Sequence, residues 1–193
     1  MVERFEDNTA WRQALRQEML ARRAALSPAQ HEEWSAGIVD HLIATFPEFP
    51  GQILGFCWPI QREPDLRVAI RHWLARGSRA VLPVVLAAQR PLAFRAWAPD
   101  TPLVPDRYGI PTPDSGEWLQ PQVLLLPVNA VDGAGYRLGY GGGYFDRTLA
   151  ARVPRPQAIG VGFELARVAD IRPQAHDLRL DAVVTESGVF RAG

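Results

Sequence analysis

The sequence contains no lysine: all 21 of its basic residues are arginine. That absence excludes a Walker A phosphate loop, whose lysine reaches the phosphates. It also excludes a lysine Schiff base of the pyridoxal phosphate kind. A cationic side chain that contacts an anion here is an arginine, or a histidine while protonated. Cysteine is nearly absent. With Cys57 alone, the chain forms no internal disulfide and no cysteine-built metal cluster. No apolar run approaches the roughly 18 residues that a membrane span needs, so no membrane partner is expected. Neither sign of charge dominates: 21 basic side chains balance 21 acidic ones and the isoelectric point is near 6.9. This balance argues against a basic nucleic-acid footprint. The first residues include Glu3, Glu6 and Asp7 and no apolar signal region, so no export is indicated and a cytoplasmic location is expected.

What is present is a chain of 193 residues, 47% of them hydrophobic, enough for a single domain over 1–193 with a substantial core. Asn8 or Thr9 is placed to cap a first helix, along which Trp11, Leu15, Met19 and Arg22 recur at helical spacing. Arg12 and Arg16 share a face of it, and Arg22 and Arg23 extend the basic character; on pattern alone this is a solvated charged face. Ser27, Pro28 and Gln30 match the N-cap, N1 and N3 positions of a second helix. Its apolar stripe is Trp34, Ile38, Leu42 and Phe46, and Pro47 and Pro50 close it. The two helices are expected to form an N-terminal hairpin.

Apolar runs at 52–58, 79–86, 123–127, 157–163 and 182–185 read as buried strands, the third as central. The alternation over 92–98 reads as a half-buried antiparallel strand. Leu66, Ile70, Trp73 and Leu74 mark a helix that Gly77 stops. Six prolines between 99 and 121 predict irregular structure over the body, where Tyr108, Gly109 and Ile110 are candidates to line a pocket. Strands alternating with helices predict an α/β fold, a three-layer α/β/α arrangement with a mostly parallel central sheet.

The densest signal is the run 136–147. Four glycines, Gly139, Gly141, Gly142 and Gly143, stand between Arg137 and the pair Asp146-Arg147. Bare backbone lets a ligand approach its N–H groups, and the order strand, loop, glycines, helix favours a phosphate cradle over a plain turn. Arginines add charge-assisted contacts, and an aspartate suits a Mg²⁺ that travels with phosphates. Glu63, in the loop after the 52–58 strand, occupies the end of a strand where ligands gather in open α/β sheets.

Arg137-Leu138-Gly139-Tyr140-Gly141-Gly142-Gly143-Tyr144-Phe145-Asp146-Arg147 closely resembles the signature of the 5-formyltetrahydrofolate cyclo-ligase family. Other pieces match in the same order: Arg12-Gln13-Ala14-Leu15-Arg16, Trp58-Pro59 followed by Glu63 and Asp65, Leu82-Pro83, Phe94-Arg95-Ala96-Trp97, Tyr108-Gly109-Ile110, and His176-Asp177 with Asp181 and Thr185. The resemblance covers nearly the whole chain. It implies conversion of 5-formyltetrahydrofolate and ATP to 5,10-methenyltetrahydrofolate, ADP and phosphate with Mg²⁺, through phosphorylation of the formyl oxygen and ring closure by N10. It further implies that the backbone from Leu138 to Phe145, with Arg12, Arg16 and Arg137, holds the nucleotide. Arg137, Arg16 and Tyr144 then serve the chemistry, Trp58, Glu63 and Tyr140 meet the folate, and Asp146 and Asp177 bind the metal. A monomer is expected. The family usually has lysine where Arg12 stands, which leaves open a catalytically inactive folate- or nucleotide-binding protein of the same fold.

Overall fold

A seven-stranded sheet runs through the molecule with Val123–Pro127 as its middle strand. The computed structural model describes the backbone of residues 2–191 and the side chains of residues 8–191; the side chains of Glu3, Glu6 and Asp7 and the ends of the expected 1–193 domain lie outside the described residues. In chain order the elements are α1 (Val2–Ala24), α2 (Pro28–Thr45), β1 (Ile53–Gly55), α3 (Arg67–Leu74), β2 (Arg79–Val84), β3 (Ala93–Trp97), β4 (Leu103–Pro105), β5 (Pro111–Pro113), β6 (Val123–Pro127), β7 (Ala130–Val131), β8 (Arg137–Leu138), α4 (Tyr144–Ala150), β9 (Gln157–Val161), β10 (Ala182–Thr185) and β11 (Gly188–Phe190).

The sheet order is β11-β10-β9-β6-β1-β2-β3. The five inner strands are parallel, while β3 and β11 run antiparallel at the two edges. From β1 the chain moves outward to β2, then returns to β6 and moves the other way through β9 and β10. The topology therefore reverses between β1 and β6, the place where open α/β sheets leave a crevice beyond their carboxyl ends.

Burial explains the layers. Val123 and Leu125 of β6 pack with Ile38 and Leu42 of α2 and Ile70 and Trp73 of α3. Leu124 and Leu126 point the other way, into a cluster with Leu149 of α4 and Leu180. Each such side chain contributes about 1.5–3 kcal/mol when removed from water, so a strand apolar on both faces settles at the centre.

The second helix starts as its residues predict. The Ser27 hydroxyl accepts from the Gln30 N–H at 3.2 Å, and the Gln30 side chain accepts from the Ser27 N–H at 3.0 Å. The first helix differs: it begins at Val2, so Asn8 and Thr9 lie inside it rather than capping it. No glycine or proline interrupts residues 2–8, and nothing there ends a helix. The expected hairpin is sequential, joined by residues 25–27, but each helix buries its apolar face on a different partner. α2 lies on the sheet, whereas Met19 of α1 packs with Ala130, Leu138 and Ile171.

The proline-rich stretch is less irregular than expected, because β4 and β5 form a hairpin within it. The Asp106 N–H donates to the Ile110 carbonyl and the Asp114 N–H to the Pro102 carbonyl. Counting inward from these pairs, Pro105, Pro111 and Pro113 occupy the alternate positions whose N–H a ladder does not use. Asp106 closes the turn, its carboxylate accepting from the Tyr108 and Ile110 N–H groups at 2.8 and 2.9 Å. Among the described residues, no helix is long and apolar enough to cross a membrane.

Leu125→Ala should lower the free energy of unfolding by about 2–5 kcal/mol, since the cavity it leaves lies between the sheet and two helices. Urea unfolding followed by circular dichroism measures this; a loss well under 1 kcal/mol would contradict the placement of β6 at the centre.

Candidate functional site

A cavity of about 910 Å³ opens where the topology reverses. Cys57 and Trp58, which follow β1, and Pro127 at the end of β6 form its floor, and the β4–β5 turn forms a wall. It stands at the upper end of the size range of small-molecule sites, large enough for two ligands side by side.

Three arginines enter this region from one face of α1. Arg12 is 5% exposed and makes a bidentate pair with Asp177, at 2.6 and 3.0 Å, while also donating to the Arg172 carbonyl. Burial pushes the Asp177 carboxyl up, but the Arg12 bonds, the Gln174 N–H and the Arg12 charge outweigh it and leave the group below its ordinary pKa. Arg16 donates to the Gly139 carbonyl at 2.9 Å. Its pKa is lowered by burial first and by the Arg12 charge second. Arg23 is 4% exposed and uses all three nitrogens, donating to the Gln61 carbonyl, the Asn129 side chain and the Tyr140 hydroxyl. Its neighbour Arg22 instead makes an exposed i,i+4 pair with Glu18, so the solvated-face reading holds for Arg22 and fails for Arg23. A signal was available: Arg12, Arg16 and Arg23 fall on the same stripe as the apolar Leu15 and Met19.

The glycine loop runs from β8 to α4. Arg137 stands on the short β7–β8 hairpin, which the sequence reading did not anticipate, and is 5% exposed. It faces Asp146 of α4 at 3.2 and 3.4 Å, and Asp146 also accepts from the Leu178 N–H. Gly141 and Gly143 have φ of +93° and +62°, values that side chains rarely adopt. Arg16 lies so close beneath Gly141 that an added Cβ would be 3.5 Å from its guanidinium carbon. Arg147 donates to the Gly142 carbonyl and covers the Tyr144 ring, a part in holding the loop. Tyr144 in turn meets Tyr108 of the β4–β5 turn, hydroxyl to hydroxyl at 2.8 Å.

Glu63 sits at the opposite end, after a turn in which Gln61 and Arg62 have φ of +46° and +60°. Two successive non-glycine residues in the left-handed region are strained, and persist only where the surroundings hold them. Here Arg23 binds the Gln61 carbonyl, His31 bonds to the Arg62 carbonyl, and Arg62 donates to the Leu26 carbonyl. The turn delivers Glu63 into the cavity while leaving it only 5% exposed. One carboxylate oxygen accepts from the Tyr140 hydroxyl at 2.5 Å and the other from the Ile60 N–H at 3.1 Å. Burial raises its pKa, and those bonds and the Arg23 charge oppose the rise. Trp58 lies beside it, with the Arg67 guanidinium 4.7 Å from its ring centre and Trp97 against its edge. Arg67 is fixed by Asp65 at 2.6 Å.

Of the residues singled out in the sequence, Arg12, Arg16, Trp58, Glu63, Arg137, Gly139, Tyr140, the three following glycines, Tyr144, Phe145, Asp146 and Asp177 all line this one cavity. Leu138 does not; its side chain is wholly buried with Met19 and Ile171, and its carbonyl accepts from the Asn129 N–H. Tyr108, Gly109 and Ile110 line the wall as expected. His176 is largely exposed, 3.8 Å from Asp177.

No group of three His, Cys, Asp or Glu residues able to hold a metal occurs among the described residues. Mg²⁺ needs no such cage: it keeps waters and is held by one or two carboxylates with substrate phosphates. Asp146 suits that role, since its contacts with Arg137 are long for charge-assisted bonds and leave its oxygens available. Asp177 has both oxygens engaged by Arg12 and one also by the Gln174 N–H.

A sequence model of the 5-formyltetrahydrofolate cyclo-ligase family matches residues 8–186. The 5-formyltetrahydrofolate cyclo-ligase of Escherichia coli (strain K12) is 29% identical over 187 residues, covering 88% of this chain and 97% of that one. The protein of the same name from Mycolicibacterium smegmatis is 31% identical over 137 residues, covering 66% and 70%. Among solved structures, the 5,10-methenyltetrahydrofolate synthetase of Aquifex aeolicus superposes with a TM-score of 0.77 at 27% identity, covering 94% of this chain and 92% of that one. A 5,10-methenyltetrahydrofolate synthetase from Mycoplasma pneumoniae, at 22% identity and a TM-score of 0.74, covers 91% and 98% and shares the fold.

Two variants test the electrostatics. Asp177→Asn leaves Arg12 buried without its anion and should cost about 3–5 kcal/mol of stability, read as a fall in Tm. A Tm within a degree or two of the parent would show that the pair does not hold α1. Glu63→Gln should act through pH. The folded protein holds a proton on Glu63 at higher pH than the unfolded chain does, so Glu63 costs stability as pH rises from its ordinary value of 4.5 to the raised one. The variant's stability relative to the parent should therefore climb across that window and level off above it. A pH-independent difference would overturn the assignment.

Proposed function

The chain belongs to the 5-formyltetrahydrofolate cyclo-ligase family, and we propose that it closes 5-formyltetrahydrofolate to 5,10-methenyltetrahydrofolate with ATP and Mg²⁺, releasing ADP and phosphate. The observation that carries this reading is one cavity with two unlike ends. At one end are arginines and a glycine loop; at the other are a buried carboxylate and a tryptophan. An anion and an aromatic, amine-bearing ligand would meet between them, beside Tyr140 and Tyr144.

A formamide is a poor electrophile and its oxygen a poor leaving group. Phosphorylation of that oxygen corrects both defects, after which the neighbouring N10 attacks and phosphate leaves. Because attacker and target share one molecule, the protein supplies position and charge neutralisation more than covalent chemistry. Arg16, half-buried and bonded only to a backbone carbonyl, is the cation free to meet a phosphate. Arg137, held by Asp146, lies on the other side of the loop, and the N–H groups of residues 139–143 complete the cradle. Arg12, locked to Asp177, fixes α1 and adds its field. Glu63 accepts hydrogen bonds from the folate and Trp58 gives it a flat apolar wall. Asp146 would hold Mg²⁺ together with phosphate oxygens and water, and the bound ion would offset phosphate charge.

Mixing the protein with 5-formyltetrahydrofolate, Mg²⁺ and ATP should produce methenyltetrahydrofolate absorbance, and omission of ATP should abolish it. Tight folate binding without turnover would favour the inactive binding protein instead; neither binding nor turnover would sink both. Asp146→Asn should reduce Mg²⁺-dependent turnover at least about 100-fold while the protein stays folded. An unchanged rate would remove Asp146 from the metal site.

A further inference from the structure

Arg23 belongs to no motif that the family reading uses, yet it is among the most completely bonded side chains of the site. Its Nε donates to the Gln61 carbonyl at 2.9 Å, one terminal nitrogen to Asn129 Oδ1 at 3.1 Å, and the other to the Tyr140 hydroxyl at 2.9 Å. These partners come from the strained turn that carries Glu63, the link between β6 and β7, and the glycine loop. A guanidinium is a planar fork with donors only, so this arrangement cannot be reproduced by a single-point cation.

The bond to Tyr140 also fixes a direction. The hydroxyl has one proton and accepts from Arg23, so its proton is free for Glu63 Oε1, 2.5 Å away. The Ile60 N–H supplies the second donor, at 3.1 Å to Oε2. Two donors and a cation one hydroxyl away favour the ionised carboxyl in a place where burial disfavours it. The remaining charged and titratable neighbours do not supply this. Cys57, behind Glu63, is kept neutral, its pKa raised by burial and by the Glu63 charge. His31 of α2 touches the backbone of Arg62 and Glu63 rather than the carboxylate, and Arg137 is paired with Asp146.

We propose that Arg23 is a positioning residue: by donating to the Tyr140 hydroxyl it directs the tyrosine proton onto Glu63 and holds Glu63 as a carboxylate acceptor facing the folate end of the cavity. This rests on the reading of that end as the folate site, and its first test does not need the reading to be right. In ligand-free protein labelled with ¹³C at the glutamate side-chain carboxyl carbons, with the Glu63 signal assigned by its loss in Glu63→Gln, the Glu63 titration midpoint should rise by about one pH unit or more in Arg23→Met and in Tyr140→Phe. An unchanged midpoint in either variant overturns the proposal. Arg23→Lys retains the charge but not the fork, and replaces Arg23→Met if that variant does not fold; its midpoint should also rise, by less, and an unchanged midpoint counts against the proposal equally. In steady-state kinetics, loss of Arg23 should raise the KM for 5-formyltetrahydrofolate about tenfold and leave the KM for ATP within about twofold. Arg23→Met combined with Tyr140→Phe should be no worse than the poorer single variant. Equal effects on both KM values, or additive losses, would mean a general structural role. Absence of turnover in the parent protein would sink the folate reading while leaving the titration result standing.

Discussion

The site depends on guanidinium groups carried by one face of one helix against the cavity and the loops that surround it. An arginine buried to a few per cent exposure is stable only when its donors and charge are answered. Arg12 and Arg16, which line the cavity, and Arg23 behind them each find a different answer: Asp177 for Arg12, the glycine-loop backbone for Arg16, and three separate elements for Arg23. Apart from the Arg23–Gln61 bond, these contacts bring together segments more than 100 residues apart in sequence. The chain after β6, which crosses to the glycine loop, and the tail around Asp177 take their places against α1 as much as against the sheet. That is why α1, although its Met19 packs away from the sheet, still lines the cavity with Thr9, Arg12 and Arg16.

The absence of lysine gives this arrangement its character. A lysine at position 12 would present a point charge on a flexible stem, able to turn from Asp177 to a ligand. The arginine fork instead matches the carboxylate in two parallel bonds and is held there. The consequence is a division of labour. Arg12 and Arg137 are matched by Asp177 and Asp146, and Arg23 reaches Glu63 through Tyr140. Arg16 alone among the arginines that line the described cavity bonds to no carboxylate.

Much of this architecture could be read from residue patterns, because the determinants were local. The capping box at Ser27, the two-faced apolar strand 123–127 and the alternation over 92–98 each encode their own structure. The cradle was legible for the same reason, glycines and charges being adjacent in the chain. What escaped was whatever depends on tertiary context. Arg23 and Arg22 are the same residue type in successive positions, and only the 100° between them on the helix separates a buried hub from a solvated side chain. The β4–β5 hairpin was hidden by prolines, since their disfavour in sheets vanishes at register positions that no composition reveals. The strain at Gln61 and Arg62 left no trace either: neither residue type favours the left-handed region, and what holds it is the bonds between Ile60 and Glu63 together with the distant Arg23, His31 and α1–α2 connection.

The charge balance of the cavity sets what it takes in. With three arginines answered from within the protein, Arg16 and the loop N–H groups are left to meet an anion. One guanidinium does not balance a nucleoside triphosphate, which carries several negative charges at neutral pH. In a cavity of low dielectric the remainder would be strongly unfavourable. A divalent cation arriving with the phosphates would supply the missing charge, and it would require from the protein only an oxygen ligand that is not already saturated. Asp146, whose contacts with Arg137 are long, meets that condition, whereas Asp177 is committed to Arg12.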